Sequence, residues 1–450
     1  MINDVFLLKM CRKLLTVKWL WIFCCVWFVV SCGDDEKTKD ETYNPKIRVT
    51  LGSFYPDSGR IAEKMLIDGN NFGTDIQIIK VYVGAKRASV ISSTGKRIYV
   101  LCPKIPSRDR EEHAVSVVIG KDSVVFDHKF RYKISISVST VVGNGTATYR
   151  AGNLAEATLA PSFLCVDDED NIFVSIRESE RGLARINEME NNMTTLILHP
   201  SSAGIIIPDA LCTDLNTGII YIPCETATAV FFTCDPKEGW APRKRSFTWR
   251  NLNGYGLPVN VWKHSFGFCK LDGYIYTRFF DGQIVKIHPK SFEADIIAIT
   301  PNGTSCGVTF HPLRPELLYI AGRTMGVEGG IYTMDVSSPN PEQSLRRLNA
   351  TGSGFRDGEL STALFRDPWQ IYFDPDGNLY IADTGNHCIR RIRSDNIVET
   401  VVGMPGTSGW KDGGKDDALF NSPRGVGVSK DGTVYVADYG GCRVRKLAVE

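Results

Sequence analysis

From residue 46 onward the chain reads as short apolar runs broken by Gly, Pro, Asn and Asp, a pattern that predicts strands and turns over helices. The first stretch, IRVTLGSFY, alternates and ends in a Pro56-Asp57-Ser58-Gly59 turn. A second strand runs into Asp68-Gly69-Asn70-Asn71-Phe72-Gly73, and further strands read IIKVYVG (78–84), KRIYVLCP (96–103), AVSVVIG (114–120) and VVFDHKFRYK (124–133). Several short strands at this spacing predict a β-sandwich over 46–133, with Phe72 and Tyr132 in its core.

Beyond 133 the pattern repeats. Residues 357–393 and 412–448 align without a gap: Asp383 matches Asp438 and Ala363-Leu364-Phe365 matches Ala418-Leu419-Phe420, each 55 positions apart. Weaker copies lie at 162–179, 210–226, 265–282 and 305–322, each a strand, a turn and a second strand bearing an aromatic residue. Six strand-built units of about 52 residues predict a closed six-bladed β-propeller over 134–450. The last unit stops at its third strand and lacks the outer strand seen as IVETVVG (397–403). ISVSTVVGNG (136–145) has the missing pattern and is expected to complete that blade, which removes an open sheet edge.

The N-terminus follows a different rule. Lys9, Arg12, Lys13 and Lys18 precede the 12-residue apolar run WLWIFCCVWFVV (19–30). That run is short for a membrane span, which needs about 20 residues, and suits a signal-peptide core. Residues 32–45 form a polar, acidic linker too poor in apolar area to fold. Of 52 basic and 51 acidic residues in the whole chain, four and one fall in 1–31, so the remainder carries a net charge of −2. Such a balance supplies no electrostatic footprint for nucleic acid, and none is expected as a partner. Four of the 13 cysteines fall at or before position 32; the other nine show no CxxC pair or metal-ligand spacing and read as small apolar residues.

Four resemblances add to this reading. Val29-Val30-Ser31-Cys32 resembles the lipobox of bacterial lipoproteins, which implies cleavage after 31 and lipidation of Cys32. The following Gly33-Asp34-Asp35-Glu36-Lys37 resembles the surface-export signal of Bacteroidetes-type lipoproteins. Together these imply a lipid-anchored protein of the outer membrane, facing the cell exterior, with the periplasmic face as the alternative. The P-x-S-G, I-x-G-x-x-F-G and F-x-Y elements of 46–133 resemble IPT/TIG domains, which implies an immunoglobulin-like sandwich. The A-x-F, D-G-x-x-Y-V-A-D and I-R elements of the regular units resemble the NHL repeat. The expected chain is therefore all-β: an IPT/TIG immunoglobulin-like β-sandwich followed by an NHL-type six-bladed propeller.

In propellers of this kind the face carrying the b–c and d–a loops usually binds ligands. The repeat register places Arg177, Glu225, Phe280, Arg323, Thr384 and Tyr439 in its b–c corners, and Ser162, Asp209, His264, Ser305, Trp369 and Arg424 just before the innermost strands. Asp383 and Asp438 invite a catalytic reading as a carboxylate pair, but at strand ends they more naturally hold backbone N–H groups. Segment 238–266 reads as an insertion in which Trp240, Trp249, Tyr255 and Trp262 mix with Arg243, Lys244, Arg245 and Arg250, and aromatic planes beside arginines suit sugar rings. The candidate ligand-binding residues are Trp249, Tyr255, Trp262, His264, Arg278, Arg323, Trp369 and Arg424. No GxSxG elbow, catalytic Cys/His pair or three-ligand metal set is legible, so no cofactor, metal or catalytic residue is expected. The expectation is a surface binding module for a polysaccharide or oligosaccharide, by resemblance to glycan-binding lipoproteins of polysaccharide-utilisation systems. An envelope-protein scaffold is the alternative, and a metal-dependent lyase or lactonase the second alternative.

Overall fold

A computed structural model describes residues 42–103, 105, 112–133, 136–178, 180–200, 207–225 and 227–449. The signal segment, the lipobox and Cys32 lie outside the described residues. The described chain forms two compact units, 42–133 and 136–449, built from strands and a few one-turn 3-10 helices. Among the described residues, no helix is long and apolar enough to cross a membrane.

The first unit is the sandwich. Thr50–Tyr55, Lys64–Asn70, Arg97–Leu101 and Lys86–Ser93 pair in that order, and the series continues through Ile79–Val83, Glu112–Ile119, Asp122–Tyr132 and Ser58–Gly59. Alternate residues of each strand turn inward, so Met65, Ile67, Ile98 and Val100 meet Val81, Val83, Val115 and Val117 in a closed core. Phe72 and Tyr132 are buried there. Gly69 leaves room for this packing, because a Cβ on it would stand 2.4 Å from the Phe72 ring.

The second unit is the six-bladed propeller. Its innermost strands are Phe163–Val166, Cys212–Thr213, Phe266–Phe268, Ser305–His311, Pro368–Phe373 and Pro423–Val428. Each contacts the next, and the sixth contacts the first, which closes the ring. Gln370 ties three of them together: its amide oxygen accepts from the N–H groups of Leu164 (3.1 Å) and Val426 (3.2 Å), and its amide nitrogen donates to Leu164 O (2.7 Å).

The last blade is completed by the N-terminal strand Ile136–Val142, inserted between Arg443–Val449 and Gly413–Gly414. The repeat chemistry crosses this junction intact. In blade 5, Asp357 accepts from the backbone N–H (3.0 Å) and hydroxyl (2.8 Å) of Thr400 and from Arg390 Nε (2.9 Å). In blade 6, Asp412 makes the same set with Thr140 (3.0 and 3.2 Å) and Arg445 (3.0 Å), although Thr140 lies 272 residues away in sequence. Arg390 and Arg445 also pair with the buried Asp383 (2.8 Å) and Asp438 (3.4 Å), whose other oxygens accept from Arg366 N–H (2.8 Å) and Asn421 N–H (2.7 Å). Both aspartates are thus committed to the blade framework.

Segment 238–266 differs from the expected insertion. Pro242–Ser246 is the outer strand of blade 2, and Thr248–Asn251 adds in parallel to the edge of blade 3. The repeat pattern hid these strands because edge strands carry polar residues on both faces, and only 252–264 remains as connecting loop.

Candidate functional site

On the b–c and d–a face, three blades start their inner strand alike. Pro208, Pro368 and Pro423 pair with the residue that ends strand b, namely Cys224, Asp383 and Asp438. Proline suits a strand's first position because it has no N–H to leave unpaired. The next residue is Asp209, Trp369 or Arg424, while Ser162 follows Pro161 in blade 1 and His264 and Ser305 hold the place in blades 3 and 4. Register shifts occur at Ser305/Gly307, Pro368/Ile371 and Pro423/Gly425, and a bulge there re-aims the side chain beside it. Phe163, Ala210, Cys306 and Trp369, from blades 1, 2, 4 and 5, pack in one buried cluster. Residues of blades that are not neighbours meet only on the axis, so this ring of positions surrounds the propeller's axial mouth.

Blades 1 to 3 contribute charge. Ala210 N–H donates to His264 O (3.0 Å) and Phe266 N–H to Ala210 O (3.0 Å), a parallel bridge that brings Asp209 beside His264. Lys263 Nζ donates to Cys224 O and Ala227 O, each at 2.7 Å, and so ties the Glu225 corner to the His264 segment. His264 Nδ1 stands 2.7 Å from Glu225 Oε1 and 3.7 Å from Asp209 Oδ2. Arg177 donates to Asp209 Oδ1 and, at 3.2 Å, to Glu225 Oε1. Burial raises the Asp209 carboxyl to about 6. Burial pushes Glu225 upward too, but His264 and Arg177 outweigh it and hold Glu225 at about 2. Burial alone would lower His264, but the two carboxylates lift it to about 9. Two carboxylates thus face a guanidinium and an imidazolium, which balances charge inside a buried site.

Blades 4 to 6 contribute an aromatic floor. Trp369 stacks on Phe163 at 5.7 Å between ring centres. The Arg323 and Arg424 guanidinium carbons lie 4.8 and 4.4 Å from the Trp369 ring centre, and Arg424 lies 3.4 Å from that of Tyr439. Arg323 pairs with Asp367, and Arg424 pairs with Glu178 of blade 1 at 3.1 Å. On the opposite face a separate recess opens among Cys212, Phe268, Phe310 and Tyr372. It adjoins a second recess that Asp167, Asp168, Lys270, Asp374 and Lys430 line.

The structure divides the candidates drawn from the sequence. His264, Arg323, Trp369 and Arg424 line the mouth, and Trp262 stands at its rim. Trp262 is 43% exposed, edge-on to Phe280 (5.3 Å) and 6.2 Å from the His264 ring. Arg278 is a correction: it is buried and spends its donors on Thr300 Oγ1 (2.8 Å), Gly303 O (2.7 Å), Ser305 Oγ (3.2 Å) and Pro301 O, fastening blade 3 to the loop that enters blade 4. Trp249 is a second correction, packed edge-on against Phe247 (5.1 Å) in the blade 3 core. Tyr255 is a third, half-buried against the same core with its hydroxyl on Glu342 (2.8 Å). Trp240 packs on Phe173 of blade 1. The aromatics of 238–266 therefore form no common platform.

The expectation that no three-ligand set exists is also corrected. Ligand atoms of Asp209, Glu225 and His264 lie within 4.8 Å of one another, a donor set that could take a divalent cation. The fit is poor while Arg177 lies on both carboxylates, since the guanidinium already supplies the compensating charge. Sequence reading placed Asp209, Glu225 and Arg177 in the right loops without selecting them. The available signal was that acids and a histidine occupied corresponding positions in adjacent blades.

Comparison with known proteins agrees with this architecture. The family model described as NHL repeat matches residues 365–392 and 420–447, and the IPT/TIG domain model matches 50–132. NHL repeat-containing protein 2 of Gallus gallus is 35% identical over 169 residues, which are 36% of this chain and 23% of that protein. The chain thus covers under a quarter of that relative's length. A solved structure from Bacteroides thetaiotaomicron, described as a structural genomics protein of unknown function, superposes with a TM-score of 0.72 at 22% identity, covering 91% of this chain and 100% of that one. An auxiliary nutrient binding protein from Bacteroides ovatus superposes with a TM-score of 0.60 at 19% identity, covering 91% and 100%. At these identities the likeness is one of fold.

Proposed function

We propose that this chain is a cell-surface binding module whose propeller mouth takes an oligosaccharide. One observation carries the reading: polar side chains from successive blades converge on the axis, with Trp262 standing over His264 at the rim. A few converging polar groups beside an aromatic edge suit a polyhydroxylated ligand. The fold shared with a protein described as nutrient binding supports the reading by analogy. Lipidation at Cys32, with anchorage in the outer membrane and the propeller facing outward, belongs to the same proposal and rests on the basic n-region, the apolar run, VVSC and the acidic residues after it.

The test is affinity electrophoresis of the protein against a broad panel of neutral and acidic polysaccharides. Retardation by at least one glycan is expected, and Trp262→Ala should weaken it at least fivefold without moving Tm. No retardation by any glycan would reject the reading. A second reading, docking of another envelope protein, has its own observation: Leu257, Val259 and Trp262 expose apolar surface on one loop, Val259 at 89%. Co-purification of one stoichiometric envelope partner, lost in Val259→Asp, would favour it.

A further inference from the structure

Among the described residues, eight buried side-chain polar atoms have no hydrogen-bond partner, and six belong to five residues of the axial ring. They are Ser162 Oγ, Asp209 Oδ2, His264 Nδ1 and Nε2, Trp369 Nε1 and Arg424 Nε. His264 Nδ1 is nonetheless held by Glu225 Oε1 at 2.7 Å as an ion pair, which leaves five atoms, one on each of the five residues, without a partner. Folded proteins leave few buried polar groups unpaired, because a desolvated donor or acceptor without a partner destabilises the fold. Their concentration at equivalent positions of five blades marks a place built for something polar.

The unpaired atoms are not mixed at random. Trp369 Nε1 and Arg424 Nε can only donate, and Ser162 Oγ can also donate. All three belong to blades 5, 6 and 1, and Arg323 of blade 4, 4.8 Å from the Trp369 ring centre, adds a further donor fork beside them. Across the axis, in blades 2 and 3, Asp209 Oδ2 can only accept while ionised. We infer that the mouth is a polarised site for an acidic saccharide, with the sugar's carboxylate or sulfate against Arg424, Trp369 and Arg323 and its hydroxyls toward Asp209 and His264. This rests on the oligosaccharide reading above and names its class.

Two features let such a group in. Arg424 and Arg323 hold carboxylates of the rim, Glu178 and Asp367, whose side chains are 50% and 31% exposed. The arginine side chains are 17% and 37% exposed, so each pair is open to solvent on at least one side and a ligand anion can replace the carboxylate by exchange. Both guanidiniums also lie within 5 Å of the Trp369 ring centre, at 4.8 and 4.4 Å, so their movement uncovers the indole. Asp209 and Glu225 meanwhile repel an anion from the far side and set its orientation.

The probes are polygalacturonate, alginate and hyaluronan for carboxylates, dextran sulfate and carrageenan for sulfates, and fully methyl-esterified pectin, dextran and galactan as neutral counterparts. Each is run against the full-length chain in detergent at 0.15 M salt. Retardation at least tenfold stronger by one acidic class than by the neutral polymers is expected, with Arg424→Gln and Arg323→Gln each reducing it at least tenfold at unchanged Tm. The carboxylate and sulfate arms decide which anion is taken. Equal or stronger retardation by neutral polymers would overturn the inference while leaving the oligosaccharide reading standing. Retardation insensitive to both variants would overturn it as well, by placing the anion elsewhere. No retardation by any polymer would overturn both and assign the unpaired atoms to internal water.

Discussion

At the residue scale the mouth is governed by what burial does to charge. Asp209, Glu225, His264 and Arg177 neutralise one another, and the balance depends on pH. His264 titrates at about 9 in the folded chain against 6.5 unfolded. The stability it adds is therefore whole below pH 6.5 and is lost as pH rises through 9. Glu225 titrates at about 2 against 4.5, so its contribution is whole above pH 4.5 and is lost as pH falls through 2. Asp209 runs the other way: its raised value means that ionising it between pH 3.8 and 6 works against the fold. A His264→Gln variant should lose on the order of 3 kcal/mol relative to the native chain at pH 6 and much less at pH 9.5. Urea unfolding at the two pH values measures this. An equal loss at both would mean that the imidazolium charge adds nothing.

At the scale of elements, the propeller depends on a strand borrowed from the other end of its chain. Ile136–Val142 enters blade 6 with the Asp–Thr–Arg set that blade 5 makes locally. The closing hydrogen bonds are therefore equivalent to those inside an ordinary blade, but they join segments about 300 residues apart in sequence. Asp412→Ala should cost about 1.5–3 kcal/mol, the range for hydrogen bonds to a charged group, and leave the sandwich unit's own unfolding unchanged. Denaturation followed by two probes, one for each unit, tests it. An unperturbed propeller transition would show that the closure is held by strand pairing alone. Deleting 136–142 should be far worse, since it opens two strand edges at once.

At the scale of the whole molecule, address and ligand are joined by one chain. If Cys32 carries the anchor, Cys32→Ser should move the protein from the membrane fraction to the soluble fraction and abolish labelling by radioactive palmitate, with ligand affinity unchanged. A variant that stays in the membrane fraction without label would point to an uncleaved apolar segment at 19–30 as the anchor instead. Whole-cell protease accessibility then separates the outward from the periplasmic orientation.

What the sequence by itself determined is local or repeated. Alternation and short apolar runs specify strands because a strand buries every second residue against its own sheet. The 55-residue spacing of Asp383 and Asp438 specified the blade, and the missing outer strand specified its closure. The structural role of those two aspartates was legible because a strand-end carboxylate has backbone donors within reach. What only the tertiary structure decided is which residues meet on the axis. Asp209, Glu225, His264 and Arg177 come from three blades, and their convergence depends on ring closure, which no local period encodes. The same reason explains the corrections. Trp249 and Tyr255 looked like a binding surface because aromatic residues serve equally to pack and to bind. Arg278 looked free because nothing in its neighbours shows that a loop 22 to 27 residues further on turns two hydroxyls and two carbonyls toward it.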